Sequence, residues 1–579
     1  MTQIKRLILC CDGTWNDSVS TNNPLTNVAR FSRIIEERAA DGVLQIVYYH
    51  TGVGAGTSKI SNSIDGAVGR GLGANVRNAY NFLCQNFNHK DCTDEIYLVG
   101  FSRGAFTVRC VASLIDSIGI LTKPGLSGLY DAYGLWKNQQ ADSGTALKAF
   151  VERLDKAGLT KIGIKIKACG VWDTVSAIGV QLPAWLPQPP PRRLGHVDNR
   201  IPPCVEHAFH AMALNERRSA FWPVPWSEPG DSTTLRQCWF LGAHADVGGG
   251  YEDAGLANVA LVWMVAQFQH FTSLAFDVTD LINFLVTREI TTETNEVGFS
   301  LKTAGVEFAV KNVKETWAYK GEAGRIANSF TLMWQPFGQR PRKPGVSYLT
   351  NKVQHSIGIR GAKDDLGLTS SSTPQRGLNV GAVVENGRED KYLDTQMAQP
   401  LQATCDTIHF TVRVLLAKEY RSCHVLRNFY TNLNTEDEHH VRWQRAGGQH
   451  TGKSMRKKKT DTDLSIDEAT VTTEETQLLR LWLTAAGTRG GTRASRKSKT
   501  VTLSPDPKLG LPVAFGPMVD AASSHAEEIT ARDSETAKSL LEGRADPASA
   551  DLWLQLYAHL DQSVRPTLMY NPNSTGSSH

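Results

Sequence analysis

The sequence lacks a hydrophobic run long enough to cross a membrane, which takes about 18 to 20 apolar residues. Its longest apolar stretch, residues 255–268, is interrupted by Gln267 and ended by Gln269. The apolar run near the start, residues 7–11, is too short for the hydrophobic region of a signal peptide. We therefore expect a cytoplasmic protein with neither a signal peptide nor a transmembrane segment.

Paired cysteines of the CxxC type are also missing, although the chain has ten cysteines. Structural zinc sites commonly use such pairs, so none is predicted. Several cysteines, among them Cys10, Cys11 and Cys110, lie in apolar runs, where a reduced thiol packs as a small hydrophobic group. This pattern suits a reducing compartment.

A strong excess of charge of either sign is absent as well. The 62 basic and 58 acidic side chains leave a net charge of +4 in 579 residues. That is too little for the whole protein to bind nucleic acid through its charge alone. The composition, 41% hydrophobic and 21% charged, is ordinary for a globular chain. Because the chain exceeds the usual size of one domain, we expect a large domain with additional segments.

Short β-branched runs alternate with helical patterns early in the chain, which is typical of βαβ units and a mostly parallel sheet. Strands are predicted at 6–11, 44–50, 95–99, 161–169 and 237–243, and helices at 27–38, 75–87, 205–217 and 256–271. The first four strands end in DGTWN, TGVGAGT, GFSRGA and GVWDTV. Ligands bind beyond the carboxyl ends of parallel strands, so these loops should share one edge of the sheet. The predicted fold class is α/β, with helices flanking the sheet over residues 1–340.

The rest of the chain has a weaker pattern. Residues 341–440 are mixed and are expected to form an extension associated with a lid. Residues 441–505 are rich in Thr, Ser and Gly, with seven Lys or Arg side chains between 441 and 460. Such a composition buries little apolar surface, so we interpret it as a basic flexible linker with a short helix near 478–486. Residues 506–579 are expected to be a partly disordered tail with one short helix, near 548–559.

The strongest local motif is the segment EIYLVGFSRGA, an apolar strand that leads through Gly100, Ser102 and Gly104 into a helical pattern. This is the form of a nucleophile elbow, in which small neighbours let the backbone turn sharply at a serine. The turn exposes the serine Oγ, and the backbone N–H of Arg103 becomes an oxyanion donor at the helix N-terminus. We therefore predict that Ser102 is a nucleophile; the alternative is a structural turn.

A serine hydroxyl needs a general base, and the base needs a partner that fixes its tautomer. In the chain order Ser, Asp, His, the candidate acid is Asp173, directly after an apolar strand. The candidate base is His244, which lies between a strand and a run of three glycines. A helix N-cap is the alternative for Asp173. Asp246 is a spare acid, which we expect to turn the glycine-rich loop.

Two other histidines, His207 and His210, rival His244. They lie in the predicted helix 205–217, and a spacing of three occurs in some metal sites, but no third ligand accompanies them. We expect them to pack or to form hydrogen bonds. The predicted chemistry requires neither a metal nor an organic cofactor.

A second oxyanion donor should come from the loop after an earlier strand. That loop is Asp12-Gly13-Thr14, so the backbone N–H of Gly13 or Thr14 is predicted, with the Asp12 carboxylate bracing the loop. The letters DGT also occur in the phosphatase motif DxDGT. The first aspartate of that motif is the nucleophile, and this chain has Cys10 at its position, so the phosphatase interpretation lacks a nucleophile. The glycine-rich segments 52–59 and 69–73 fit neither GxxxxGKS/T nor GxGxxG, so nucleotide binding is a minor alternative.

Seven motifs occur in a fixed order along the chain: CDGTWN, GVGAGT, GLGANVRNAYNFL, GFSRGAFTVR, GVWDTVSAIG, HAFHAMALNERR and GAHADVGGGY. Together they resemble an α/β-hydrolase family that includes the catalytic domain of type VI secretion phospholipase effectors, over about residues 5–270. The resemblance implies a triad formed by the elbow serine, the aspartate of the WDT motif and the histidine before the glycine run. These correspond to Ser102, Asp173 and His244. It also implies hydrolysis of a lipid ester or phospholipid.

The sequence therefore predicts a serine esterase or lipase that acts on an ester or lipid substrate through an acyl-enzyme. The alternative is a catalytically silent protein of the same fold, whose basic linker contacts anionic membrane or nucleic acid. A weak contact between this linker and anionic membrane is compatible with the enzyme as well. No specific nucleic-acid partner is expected.

Overall fold

The structure is a computed structural model that describes an α/β core and several later segments. The described residues are 4–13, 24–52, 71–91, 93–139, 144–175, 197, 199–227, 229–251, 253–286, 299–303, 306–310, 326–330, 339, 342, 344, 405–417, 423–426, 429–433, 441–445 and 465–490. Among them, no helix is both long and apolar enough to cross a bilayer.

The described strands and helices alternate through the first half of the chain. The strands are β1 (Lys5–Cys11), β2 (Leu44–His50), β3 (Glu95–Phe101), β4 (Ile120–Leu121), β5 (Thr160–Lys161), β6 (Ile166–Trp172), β7 (Val205–Ala213), β8 (Thr234–Phe240), β9 (Phe299–Thr303), β10 (Val306–Val310), β11 (Asp406–Ile408), β12 (Phe429–Leu433), β13 (Val441–Arg445) and β14 (Ser465–Asp467). The α-helices are α1 (Asn27–Arg33), α2 (Leu72–Asn86), α3 (Ser102–Ile118), α4 (Leu129–Asn138), α5 (Thr145–Lys156), α6 (His244–Gly248), α7 (Gly255–Phe271), α8 (Val278–Val286), α9 (Phe410–Ala417) and α10 (Thr473–Gly490). Short 3-10 helices lie at Pro124–Gly128 and Ser219–Phe221.

Seven of the strands form one sheet in the order β11-β8-β7-β6-β3-β1-β2. Every neighbouring pair is parallel, which confirms the predicted α/β class. The chain leaves β1 for β2 on one side and then returns to place β3 on the other side. The loops after β1 and β3 therefore diverge, and such a switch point opens a crevice at the carboxyl edge of the sheet.

The two faces of the sheet are both covered, and alternate residues of a strand point to opposite faces. In β1, Leu7 and Leu9 belong to the core beneath α2 and α3, whereas Ile8 and Cys10 belong to the core beneath α1 and α7. Burial on both faces explains why the strands are continuous apolar runs. The sheet is thus a rigid platform for the loops at its carboxyl edge.

The predicted helix at 205–217 is wrong, because residues 205–213 form the central strand β7. This segment pairs with β6 and β8 and is buried along most of its length. A short apolar run that is buried all round has no periodicity that separates a helix from a strand. Likewise, the strand predicted at 161–169 is two strands, β5 and β6.

The later segments pack against this core. β11 extends the sheet beside β8, and α10 packs against α7. The structure thus differs from the linker predicted over 441–505, since that range contains β13, β14 and the whole of α10. Most of the basic side chains of that range, and the predicted helix near 548–559, lie outside the described residues. The predicted domain boundaries remain predictions.

Candidate active site

Ser102 lies where β3 turns into α3, and its φ of 57° is left-handed, which is uncommon for a residue other than glycine. The turn brings the helix against the end of β1. A Cβ atom on Gly104 would lie 2.2 Å from the backbone oxygen of Cys11, and one on Gly100 would lie 2.7 Å from the backbone of Ala105. Small residues are therefore required on both sides of Ser102, as the elbow motif predicts.

The register of the sheet brings Asp173 next to Ser102. Phe101 pairs with Trp172 in the adjacent strands, so the residue that follows each of them lies at the same carboxyl edge. Asp173 is fully buried and also has a left-handed φ, of 38°. The N-cap alternative is not supported, because Val175 forms a bridge to Pro223 rather than beginning a helix.

His244 lies between these two residues at the start of α6. Its Nε2 is 2.8 Å from Ser102 Oγ, and its Nδ1 is 2.5 Å from Asp173 Oδ2. The ring is held between Phe101 and Phe221, whose centroids are 4.7 Å and 4.8 Å away. From this network we assign the Nδ1–H tautomer, in which Nδ1 donates to Asp173 and Nε2 accepts from Ser102.

Sequence reasoning missed Arg342, which contacts both carboxylate oxygens of Asp173. Its Nη2 is 2.9 Å from Oδ2, and its Nη1 is hydrogen-bonded to Oδ1. The guanidinium also donates to the backbone oxygens of Ala213 (2.8 Å) and Phe221 (2.7 Å). Arg342 follows Asp173 by 169 positions and belongs to none of the motifs, so no local signal marks it.

The pKa values of Asp173 and His244 are both lowered, but for different reasons. Burial alone would raise the pKa of Asp173, but Arg342 and His244 outweigh it and hold this pKa well below the ordinary range. Burial lowers the pKa of His244, and Asp173 opposes this only in part. The imidazole is therefore neutral at neutral pH, the state that a general base requires.

Behind His244, Glu216 and Arg218 form a second charged pair. Glu216 accepts the backbone N–H of His244 (3.2 Å) and binds Arg218 through both carboxylate oxygens at 2.9 Å. The Arg218 guanidinium lies 3.5 Å above the centroid of the Phe221 ring, and that ring contacts His244. This arrangement fixes the backbone and one face of the histidine.

The predicted oxyanion donors have different surroundings. Arg103 is the second residue of α3, so its backbone N–H lies in the first turn, where the helix dipole favours negative charge. The N–H of Gly13, by contrast, donates to the Asp12 carboxylate at 2.7 Å. Asp12 also accepts the hydroxyls of Thr26 (2.6 Å) and Tyr49 (2.7 Å), so it braces the loop as expected. Thr14 lies outside the described residues.

The remaining acid and histidine candidates have supporting roles. Asp246 accepts the backbone N–H groups of Ala243 (2.8 Å) and Ala327 (2.9 Å), so it fixes the glycine-rich loop, and burial raises its pKa to about 6. His210 accepts the backbone N–H of Thr174 at 3.2 Å, and burial lowers its pKa to about 3. Because His207 and His210 are three apart on a strand, they point to opposite faces. Across the described ranges, no group of three or more His, Cys, Asp or Glu is placed to hold a metal ion.

Comparisons with known proteins agree with the resemblance seen in the motifs. Residues 5–267 match the family described as "T6SS, Phospholipase effector Tle1-like, catalytic domain". This segment of the chain is therefore related to the catalytic domain of those phospholipases, which are hydrolases. The chain is also 28% identical over 251 residues to "Uncharacterized protein YEL023C" of Saccharomyces cerevisiae. That alignment covers 38% of this chain and 33% of the yeast protein, so the chain spans only about a third of the length of this relative.

Proposed function

We propose that the protein is a serine hydrolase that cleaves a carboxylic ester of a lipid, with Ser102 as nucleophile, His244 as general base and Asp173 as the group that orients His244. The observation that carries this proposal is the continuous hydrogen-bonded line from Ser102 Oγ through the His244 ring to Asp173 Oδ2, with steps of 2.8 Å and 2.5 Å. All three side chains are buried. In such an arrangement His244 can accept the proton of Ser102 without a large movement of either side chain.

In the proposed reaction, Ser102 Oγ attacks the ester carbonyl carbon while its proton passes to His244 Nε2. Asp173 stabilises the imidazolium that results. The tetrahedral intermediate collapses as His244 returns the proton to the alcohol leaving group, which leaves an acyl group on Ser102. Water, deprotonated by His244, then attacks this acyl-enzyme and releases the fatty acid and free Ser102.

The oxyanion of the tetrahedral intermediate needs donors close to Ser102. We assign the backbone N–H of Arg103, because it lies in the first turn of α3, where the helix dipole also favours negative charge. The predicted donor at Gly13 can serve only if its bond to Asp12 is shared or exchanged, since that bond is 2.7 Å in this structure. Thr14 remains the other predicted donor of this loop.

The family relationship supports the proposed substrate class. Residues 5–267, which carry Ser102, Asp173 and His244, match a phospholipase catalytic domain. We therefore propose a lipid ester, and within that class a phospholipid. A single buried serine site is compatible with either an acyl ester of glycerol or a simpler fatty ester.

Turnover by the full chain tests this proposal. The substrates are short and long acyl esters of p-nitrophenol and vesicles of neutral or anionic phospholipid, with released acid measured in each case. We expect hydrolysis of at least one ester that is lost in Ser102→Ala and kept in Ser127→Ala, a control at an exposed serine. A folded wild-type protein that hydrolyses none of them, or equal activity in Ser102→Ala, would contradict the proposal.

A further inference from the structure

Four described residues beyond the family match at 5–267 contact the groups that support the site: Ala327, Ser329, Gln339 and Arg342. The backbone N–H of Ala327 donates to Asp246, and the hydroxyl of Ser329 lies 3.1 Å from Glu216 Oε1. Gln339 forms a backbone bridge to Arg218. The last of these contacts is the buried ion pair of Arg342 with Asp173.

We propose that Arg342 is a positioning residue for the hydrolysis proposed above: it holds the Asp173 carboxylate in the single orientation that aligns His244 with Ser102. The inference rests on the proposed function, but it concerns a residue that the motifs and the matched domain leave out. Both Nη atoms of Arg342 are hydrogen-bonded to the Asp173 carboxylate. Arg342 acts through Asp173.

The hydrogen bonds around Asp173 leave its carboxylate little freedom. A carboxylate has about four acceptor positions. Here Oδ1 accepts the Ala213 N–H at 2.9 Å and Arg342 Nη1, while Oδ2 accepts Arg342 Nη2 and His244 Nδ1–H. Four donors therefore meet four positions, and half of them belong to Arg342.

Arg342 is held just as firmly. Nη1 donates to Asp173 Oδ1 and the Ala213 oxygen, and Nη2 donates to Asp173 Oδ2 and the Phe221 oxygen. These four contacts match the four hydrogens of the two Nη groups. A lysine ammonium has three donors on one atom and cannot bridge both carboxylate oxygens in a plane. The planar fork of arginine is therefore specifically needed here.

The charge of Arg342 has a second consequence, because the groups around His244 balance one another. Asp173 and Glu216 favour the imidazolium, whereas Arg218 and burial disfavour it. Arg342 offsets the charge of Asp173, so removing it leaves a less compensated carboxylate beside the ring. We expect the imidazolium to be favoured, which raises the pKa of His244 and moves the acid limb of activity to higher pH.

The test uses full-length protein with Arg342→Gln, Arg342→Lys and Arg342→Ala, and with Arg217→Gln as the matched control. Arg217 is partly buried and is hydrogen-bonded to Asn328, and its side chain is not among the donors to Asp173. For Arg342→Gln we expect kcat to fall about 100-fold, the order seen for displaced catalytic groups, with KM nearly unchanged. Arg342→Lys should keep part of this activity, and Arg217→Gln all of it.

Two readouts separate positioning from a general loss of structure. Millimolar guanidinium should restore part of kcat to Arg342→Ala, whereas methylammonium should not. The downfield proton resonance of His244 Nδ1–H and the pKa of the ring, both measured by NMR without substrate, should shift in Arg342→Gln and stay unchanged in Arg217→Gln. Absence of ester turnover would contradict the proposed function but not the role of Arg342, because the NMR measurement does not depend on turnover. If the wild type is active, unchanged kcat and pH profile in Arg342→Gln would overturn this inference. So would lost activity in Arg342→Ala without rescue by guanidinium and without a change at His244.

Discussion

Residues 5–267 and the described segments that follow them contribute to the molecule in different ways. In the first region, the side chains proposed to react lie at strand ends within short motifs, such as Ser102 after β3 and Asp173 after β6. The later segments contribute buried polar side-chain pairs: Arg342 with Asp173, His409 with Glu475 at 2.7 Å, and Arg413 with Glu468 at 2.7 Å.

This difference separates reacting groups from supporting groups. A reacting group needs a particular backbone turn, and the turn leaves a local pattern of small and apolar residues. A supporting group needs only to arrive at the right place from elsewhere in the chain, so its neighbours in sequence carry no pattern. Substitutions in either region should therefore have different effects, and the largest are expected at the reacting groups.

The largest effect is expected from Asp173→Asn, which tests the first region. The amide cannot hold the Nδ1–H tautomer in the same way and carries no charge to stabilise the imidazolium. We expect kcat to fall about 10⁴-fold with little change in KM or in the unfolding midpoint. Steady-state kinetics and urea unfolding measure these quantities. Activity within a few-fold of the wild type would exclude Asp173 as the orienting acid.

Glu475→Ala tests the later segments. It leaves the buried His409 ring without its carboxylate partner, so the free energy of unfolding should fall by about 1 to 3 kcal/mol. The matched control is His270→Gln, which breaks the exposed pair with Glu474, the residue next to Glu475. That change should cost less than about 1 kcal/mol. If both variants unfold like the wild type, α10 is not integral to the fold and the comparison fails.

Gly104→Ala tests the close approach at the elbow. The new Cβ would lie 2.2 Å from the Cys11 oxygen, so the helix and strand must separate, at a cost of about 1 to 3 kcal/mol. Gly134→Ala is the control, because nothing lies within 4 Å of a Cβ there and the residue is within α4. It should be neutral or stabilising by up to about 1 kcal/mol. Calorimetric melting of both variants makes the comparison, and equal melting temperatures would contradict it.

The smallest effect is the position of the acid limb in the pH profile. His244 must be neutral to accept the Ser102 proton, so activity falls as the pH drops through its pKa. Because burial lowers this pKa, kcat/KM should reach half its maximum below pH 6.5, the ordinary histidine value. Rates measured across acidic and neutral pH locate the midpoint. A midpoint well above that value would mean that the charges at the site outweigh burial.

The sequence predicts the sheet and the proximity of Ser102, Asp173 and His244 well, because both depend on local pattern. The apolar runs before Ser102 and Asp173 mark buried strands, and parallel strands have their carboxyl ends at one edge. The segment 205–213 could not be assigned in the same way, since a short run that is buried on both faces has no periodicity that separates a strand from a helix. His210 was expected to pack or to form hydrogen bonds. Its hydrogen bond with the Thr174 N–H follows from the pairing of β7 with β6.

The later contacts are beyond sequence patterns for another physical reason. His409 and Glu475 are residue types that are usually found at the surface, but both are buried in this structure. The same holds for Arg342, whose role depends on a return of the chain after the matched domain. The linker prediction over 441–505 rested on average composition. An average over many polar residues hides the apolar positions Val441, Trp443 and Ile466, which are buried here.

The most direct test of a nucleophilic Ser102 is covalent labelling of the full chain by a fluorophosphonate, followed by mass mapping of the modified peptide. We predict one label per chain, on Ser102. It should form in the wild type and in Ser127→Ala and be absent from Ser102→Ala. Labelling that persists in Ser102→Ala, or a folded wild type that takes no label, would contradict a nucleophilic serine at this site.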